Sequence, residues 1–238
     1  MTNQRLKRGA PLPYKLLAGV EPCPDGWLVV TGKLQGVTLF PEPAQVLGKL
    51  TEILDYRPSF EVVALHIPIG LPGERTPGGR TCDREARRLL GRRRAAAIMS
   101  PPPRSVLGAD LRPEGLSAVA RVLLPRIEEA HREIASYHQR LVYEVHPELG
   151  FYELNGDRPL RYAKRTRMGR DERLALLSAR IPGVERVLDH RPETIALPTL
   201  LDACVNLWTA RRIAARAVAR LPEVPEWNDD GLRMELVR

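Results

Sequence analysis

The chain has 238 residues, 43% of them apolar and 28% charged, with 37 Lys and Arg against 29 Asp and Glu for a net charge of +8. That length supplies a core large enough to fold without disulfides or structural metals. Cys23, Cys82 and Cys204 lie far apart with no CxxC pair, which excludes a disulfide framework and a zinc ribbon and fits a reducing cytoplasm. No apolar stretch has the roughly 18 to 20 residues of a membrane helix, and MTNQRLKRG lacks the apolar core of a secretory signal, so a cytoplasmic protein without a membrane partner is expected.

Residues 1–13 read as a loose tail ending in Pro11 and Pro13, and 14–238 as one domain, without a long linker or fixed repeat. Leu16–Val20, Trp27–Thr31 and Val37–Phe40 are short apolar runs separated by turn residues, which predicts a three-strand meander. Residues 42–55 place Val46, Leu47, Leu50, Ile53 and Leu54 on one helical face, and Glu61–Leu65 reads as a buried strand. Thr81 is positioned to cap a helix carrying Asp83 and Glu85 in its first turn, which Ser100–Pro103 must end. Leu116, Ala120, Leu123, Ile127, Ala130, Ile134 and Tyr137 predict a long amphipathic helix interrupted at Pro125. Leu141–Val145 is the next strand. Residues 171–180 suit a short helix and Leu200–Arg220 a longer one, before an edge strand in Leu232–Val237. This order predicts an α/β protein of ribonuclease H-like architecture, a three-strand meander plus parallel strands in a mixed sheet flanked by helices.

The positive charge is concentrated. Arg80–Arg94 holds seven Arg against Asp83 and Glu85, and a second group runs from Arg158 to Arg173. Clustered guanidinium groups hold phosphates through paired hydrogen bonds, although the same composition also describes a solvated helix face. With 5% aromatic residues the chain lacks the interleaved basic and aromatic surface of a dedicated single-strand binder. Trp27 and Trp208 read as core residues, and the absence of a Walker loop or GxGxxG excludes the common nucleotide-cofactor folds.

In the segment EVHPE, Glu144 and His146 share one side of an extended strand and Glu148 emerges past Pro147, where open α/β sheets place ligands; Glu144 could equally pair with an arginine. GVEPCPDGW (19–27), LHIPIGLP (65–72), CDREARRLLGRRR (82–94), EVHPELGF (144–151), LLDACVNLWTARR (200–212) and GLRMEL (231–236) together resemble the family called domain of unknown function 429, in order from about Leu17 to the C-terminus. The resemblance implies a nuclease or phosphodiesterase of ribonuclease H-like fold. Glu21, His66, Asp202 and Glu148 would be its catalytic residues, with Glu21, Asp202 and His66 holding Mn²⁺ or Mg²⁺. It also implies a basic pair at Lys164 and Arg165 which, with Arg92 and Arg93, would clamp the phosphates of a nucleic acid.

The chain departs from the family pattern where acids are usual: it has Glu21 for Asp, His66 for Asp, and His131 for an acid in the long helix. Imidazoles in place of carboxylates favour Mn²⁺ over Mg²⁺, or a member that has lost catalysis and retains binding. Other roles fit the same residues: Asp202 as a helix cap after Thr199, Glu21 as a cap of strand-end amides, His66 as a packed imidazole. A small phosphorylated substrate is compatible with the same fold.

Overall fold

A computed structural model describes residues 13–108 and 116–238. Most of the tail expected at 1–13 lies outside the described residues. The centre is a mixed six-stranded sheet. Strands β1 (Lys15–Cys23), β2 (Gly26–Gln35) and β3 (Thr38–Pro41) form the antiparallel meander, while β4 (Gln45–Leu47) pairs with a second stretch of β2. Strand β5 (Val62–Leu65) runs parallel to β1, and β6 (Val142–Glu144) parallel to β5. The fold is thus α/β with a mixed sheet flanked by helices, compatible with the ribonuclease H-like arrangement.

Alternation along β1 divides the core. Leu17 faces a cluster that includes helices α4 (Pro147–Leu154), α5 (Arg167–Ser178), α6 (Val184–Asp189) and α7 (Leu197–Ala214). Leu16, Ala18 and Val20 face α1 (Leu50–Leu54) and α3 (Ala118–Glu133). Burying both faces is why β1 and β5 read as continuous apolar runs. Trp27 is fully buried and donates through Nε1 to Glu129 of α3, whose other oxygen accepts from Leu50 N at 2.6 Å. Trp208 is also buried. Both tryptophans are core residues, as their neighbours predict.

Three elements differ from the sequence reading. The helix expected over 42–55 is confined to Leu50–Leu54, because Gln45–Leu47 hydrogen-bonds to the open edge of β2 at Trp27–Val29. The last helix starts at Leu197 and stops at Ala214 instead of reaching Arg220; Arg216 adopts φ 56° and the chain enters strand β7 (Arg220–Trp227). That strand pairs with β8 (Arg233–Val237) in a separate hairpin whose register shifts between Leu221 and Glu226. Pro222 and Pro225 obscure its strand pattern. Helix α2 (Thr81–Arg94) is capped by Arg80, not Thr81, and breaks at Gly91, where φ is 67°. Pro125 lies inside α3, so it does not divide the helix in two.

Candidate functional site

The parallel register of β1 and β5 pairs Val20 with Leu65, so Glu21 and His66 follow as neighbours at the carboxyl end of the sheet. Gly19, two residues before Glu21 and on the same face, lets α7 lie directly on β1. This contact brings the buried residues Asp202 and Asn206, one helical turn apart, to the same corner. Asp202 is six residues into α7, a helix capped by Ala196, so the capping role does not apply to it.

His66 Nδ1 lies 2.9 Å from Glu21 Oε2, and Asn206 Nδ2 donates to Glu21 Oε1 at 2.6 Å and to the Val20 carbonyl at 3.1 Å. Burial pushes the Glu21 carboxyl up to about 8, against the opposing pull of Lys164 and Asn206. Burial also lowers His66 to about 4, and the Lys164 charge adds to that shift. Both shifts favour the uncharged forms of Glu21 and His66, which share the contact at Nδ1.

Lys164 Nζ meets Asp202 Oδ2 at 2.7 Å. Burial alone would lower this ammonium, but Asp202, Glu21 and Glu148 together raise it. Asp202 itself is raised to about 6 by burial. Its Oδ1, like Oδ1 of Asn206, is buried without a hydrogen-bond partner among the described residues.

Glu148 does not project freely past a strand end. Pro147 opens α4, and Glu148 is buried in its first turn against the fully buried guanidinium of Arg173. His146 Nδ1 accepts from Glu148 N at 3.2 Å and its Nε2 donates to the Ala97 carbonyl at 3.3 Å, so both ring nitrogens are engaged. Its ring packs edge-on to His66 with centroids 4.6 Å apart. Glu144 takes the arginine partner foreseen for it: Arg80 binds Glu144 at 2.5 and 2.8 Å and Asp83 at 2.9 Å, all three nearly dry. The first arginine of the basic cluster is thereby structural.

A cavity of about 490 Å³ opens beside this corner, and Glu21, Asp202 and Asn206 do not line it. His66, His146 and Glu148 line it, as do Arg93 and Arg94 from one side and Lys164 and Arg165 from the loop before α5. Arg92 does not line it, and neither does His131, which lies in the last turn of α3. Met99, Ile98, Val119 and Leu123 supply apolar wall. Sequence reasoning missed Asn206, although its position four residues after Asp202 on one helix is a readable signal.

The groups that would hold a divalent ion do not fit one. Glu21 is engaged by His66 and Asn206, and Asp202 by an ammonium that already supplies positive charge. Among the described residues no cluster of three or more His, Cys, Asp or Glu side chains is arranged to hold a metal. No described helix is long and apolar enough to cross a membrane. Comparison with curated proteins and with solved structures gives no match. A family profile described as Protein of unknown function (DUF429) matches residues 19–227, from within β1 to the end of β7, and includes every lining residue of this cleft except Leu236. The chain is a member of the DUF429 family.

Proposed function

We propose that the chain binds the end of a single nucleic-acid strand in the cleft above His66, and that it holds the phosphate without a divalent ion. The observation that carries this reading is the Lys164–Asp202 contact, which puts a fixed ammonium where a metal-dependent phosphodiesterase needs its cation. The cleft offers a phosphodiester positive charge from two chain segments, Lys164 and Arg165 in the loop before α5 and Arg93 and Arg94 in α2. The His66 ring adds a polar edge, and the wall formed by Met99, Val119 and Leu123 suits a sugar or base edge. Its volume of about 490 Å³ is that of a small-ligand site, large enough for a terminal nucleotide.

The unpartnered oxygens of Asp202 and Asn206 favour a second reading, metal-dependent hydrolysis by Glu21, His66, Asp202 and Glu148, which requires Lys164 to leave Asp202. One experiment separates the two. Short labelled DNA and RNA oligonucleotides are titrated by fluorescence anisotropy in chelator, and again with Mn²⁺ under a gel assay for cleavage. Binding in chelator, with log K falling against log salt at a slope of about −2 to −3 for three to four phosphate contacts, supports the metal-free reading. Binding or cleavage that appears only with Mn²⁺ supports the hydrolytic one. Loss of both overturns nucleic acid as the ligand.

A further inference from the structure

The loop that presents Lys164 has a fixed backbone. Glu172 accepts hydrogen bonds from Arg161 N and Tyr162 N at 3.0 and 3.1 Å. Thr166 donates through Oγ1 to the Ala163 carbonyl at 2.8 Å and accepts from Gly169 N at 3.0 Å. Gly169 sits so close to Ala163 that a Cβ there would lie 2.0 Å from the Ala163 oxygen. The loop is thus tied down on both sides of Lys164, and its ammonium is aimed at Asp202, a side chain 2% exposed.

Beneath that ammonium lies a set of hard oxygen donors. Glu21 and Asp202 supply carboxyl groups and Asn206 an amide carbonyl, and Oδ1 of both Asp202 and Asn206 is buried with no hydrogen-bond partner among the described residues. Oxygen sets of this kind suit Mg²⁺ and Mn²⁺. A single positive charge held on one of the carboxylates repels such an ion at short range, and that carboxylate is itself buried although the Lys164 side chain is 44% exposed.

We propose that Lys164 is a tethered substitute for a divalent cation: its ammonium occupies the cation's place against Asp202 and keeps Mn²⁺ out, and its removal turns the Glu21, Asp202 and Asn206 corner into an Mn²⁺ site. This inference goes beyond the nucleic-acid reading and does not depend on it, because the readout contains no phosphate.

The test is Mn²⁺ binding to the full chain, followed by the loss of the free-ion signal in electron paramagnetic resonance. Lys164→Met is expected to bind Mn²⁺ at least about tenfold more tightly than the wild type, since a like charge has been removed from contact range. Lys164→Arg, which keeps the charge, is expected to stay at the wild-type level, and adding Asp202→Asn to Lys164→Met is expected to abolish the gain. Melting curves show whether Lys164→Met is folded, and Mn²⁺ is expected to raise its midpoint but not that of the wild type. A folded Lys164→Met that binds no more tightly than the wild type overturns the proposal. Should Lys164→Met fail to fold, Asp202→Asn in the wild-type background decides: unchanged residual Mn²⁺ binding supports exclusion by Lys164, and reduced binding overturns it.

Discussion

Gly19 of β1 and Leu207 of α7 are in backbone contact: a Cβ on Gly19 would lie 2.1 Å from Leu207 N and 2.2 Å from the Ala203 carbonyl oxygen. Neither neighbour is a flexible side-chain end, so the helix itself must retreat. Gly19→Ala is expected to destabilise the fold by roughly 1 to 3 kcal/mol, the range for overpacking a close-packed contact. It should also withdraw Asn206 from Glu21. Urea unfolding measures the first effect; an unchanged midpoint would mean that the helix does not rest on this glycine.

The Glu21 carboxyl, at about 8 in the folded protein against 4.5 for an unperturbed group, makes stability depend on pH. Between those values the folded chain retains a proton that the unfolded chain has released, so its contribution is full below 4.5 and is lost as the pH rises through 8. His66 acts in the opposite sense. Lowered to about 4 from 6.5, it favours folding as the pH rises, and that gain is complete above 6.5. Asp202, at about 6, and Glu144, at about 7, behave like Glu21 over lower windows. From pH about 7 to 8.5 the melting temperature is therefore expected to fall, and Glu21→Gln to flatten that fall. Parallel declines in the two proteins would locate the proton elsewhere.

Arg80 pairs with two buried carboxylates, Asp83 and Glu144, and donates to the Ile69 carbonyl at 2.8 Å. Arg80→Met strands both acids, and a loss of roughly 3 to 5 kcal/mol in urea unfolding is expected. Arg80→Lys should recover only part of it, because an ammonium lacks the planar fork that reaches both partners. Full recovery by lysine would assign the effect to charge alone.

Arg92 and Arg93 are adjacent, exposed, and without a side-chain partner among the described residues, yet only Arg93 lines the cleft. Arg93→Ala is expected to weaken oligonucleotide binding and to reduce the magnitude of the salt slope by about 0.7, and Arg92→Ala to change both less. Both variants should melt like the wild type, since surface substitutions usually stay within about 0.5 kcal/mol. Equal effects would mean that the strand follows the outer face of α2 instead of entering the cleft.

The sheet was legible because its strands carry apolar runs between turn residues, and both α7 and α3 because their apolar positions repeat at helical spacing. The segments misread were those whose backbone bonds answer to a distant edge: Gln45–Leu47, drawn onto β2, and Arg220–Trp227, drawn onto β8. Within the site, Glu21, His66, Asp202, Lys164 and Arg165 stand out in the linear chain by residue type and motif.

By itself the sequence determined which side chains are available and which elements carry them, since periodicity and turn chemistry act over a few residues. Only the tertiary structure decided what those side chains face: that an ammonium rests on Asp202, that Asn206 and His66 close around Glu21, and that Arg173 and Arg80 claim Glu148 and Glu144. The physical reason is that the charge state and free valence of a buried group depend on its neighbours in space, which here lie far away along the chain, 185 residues in the bond from Asn206 to Glu21.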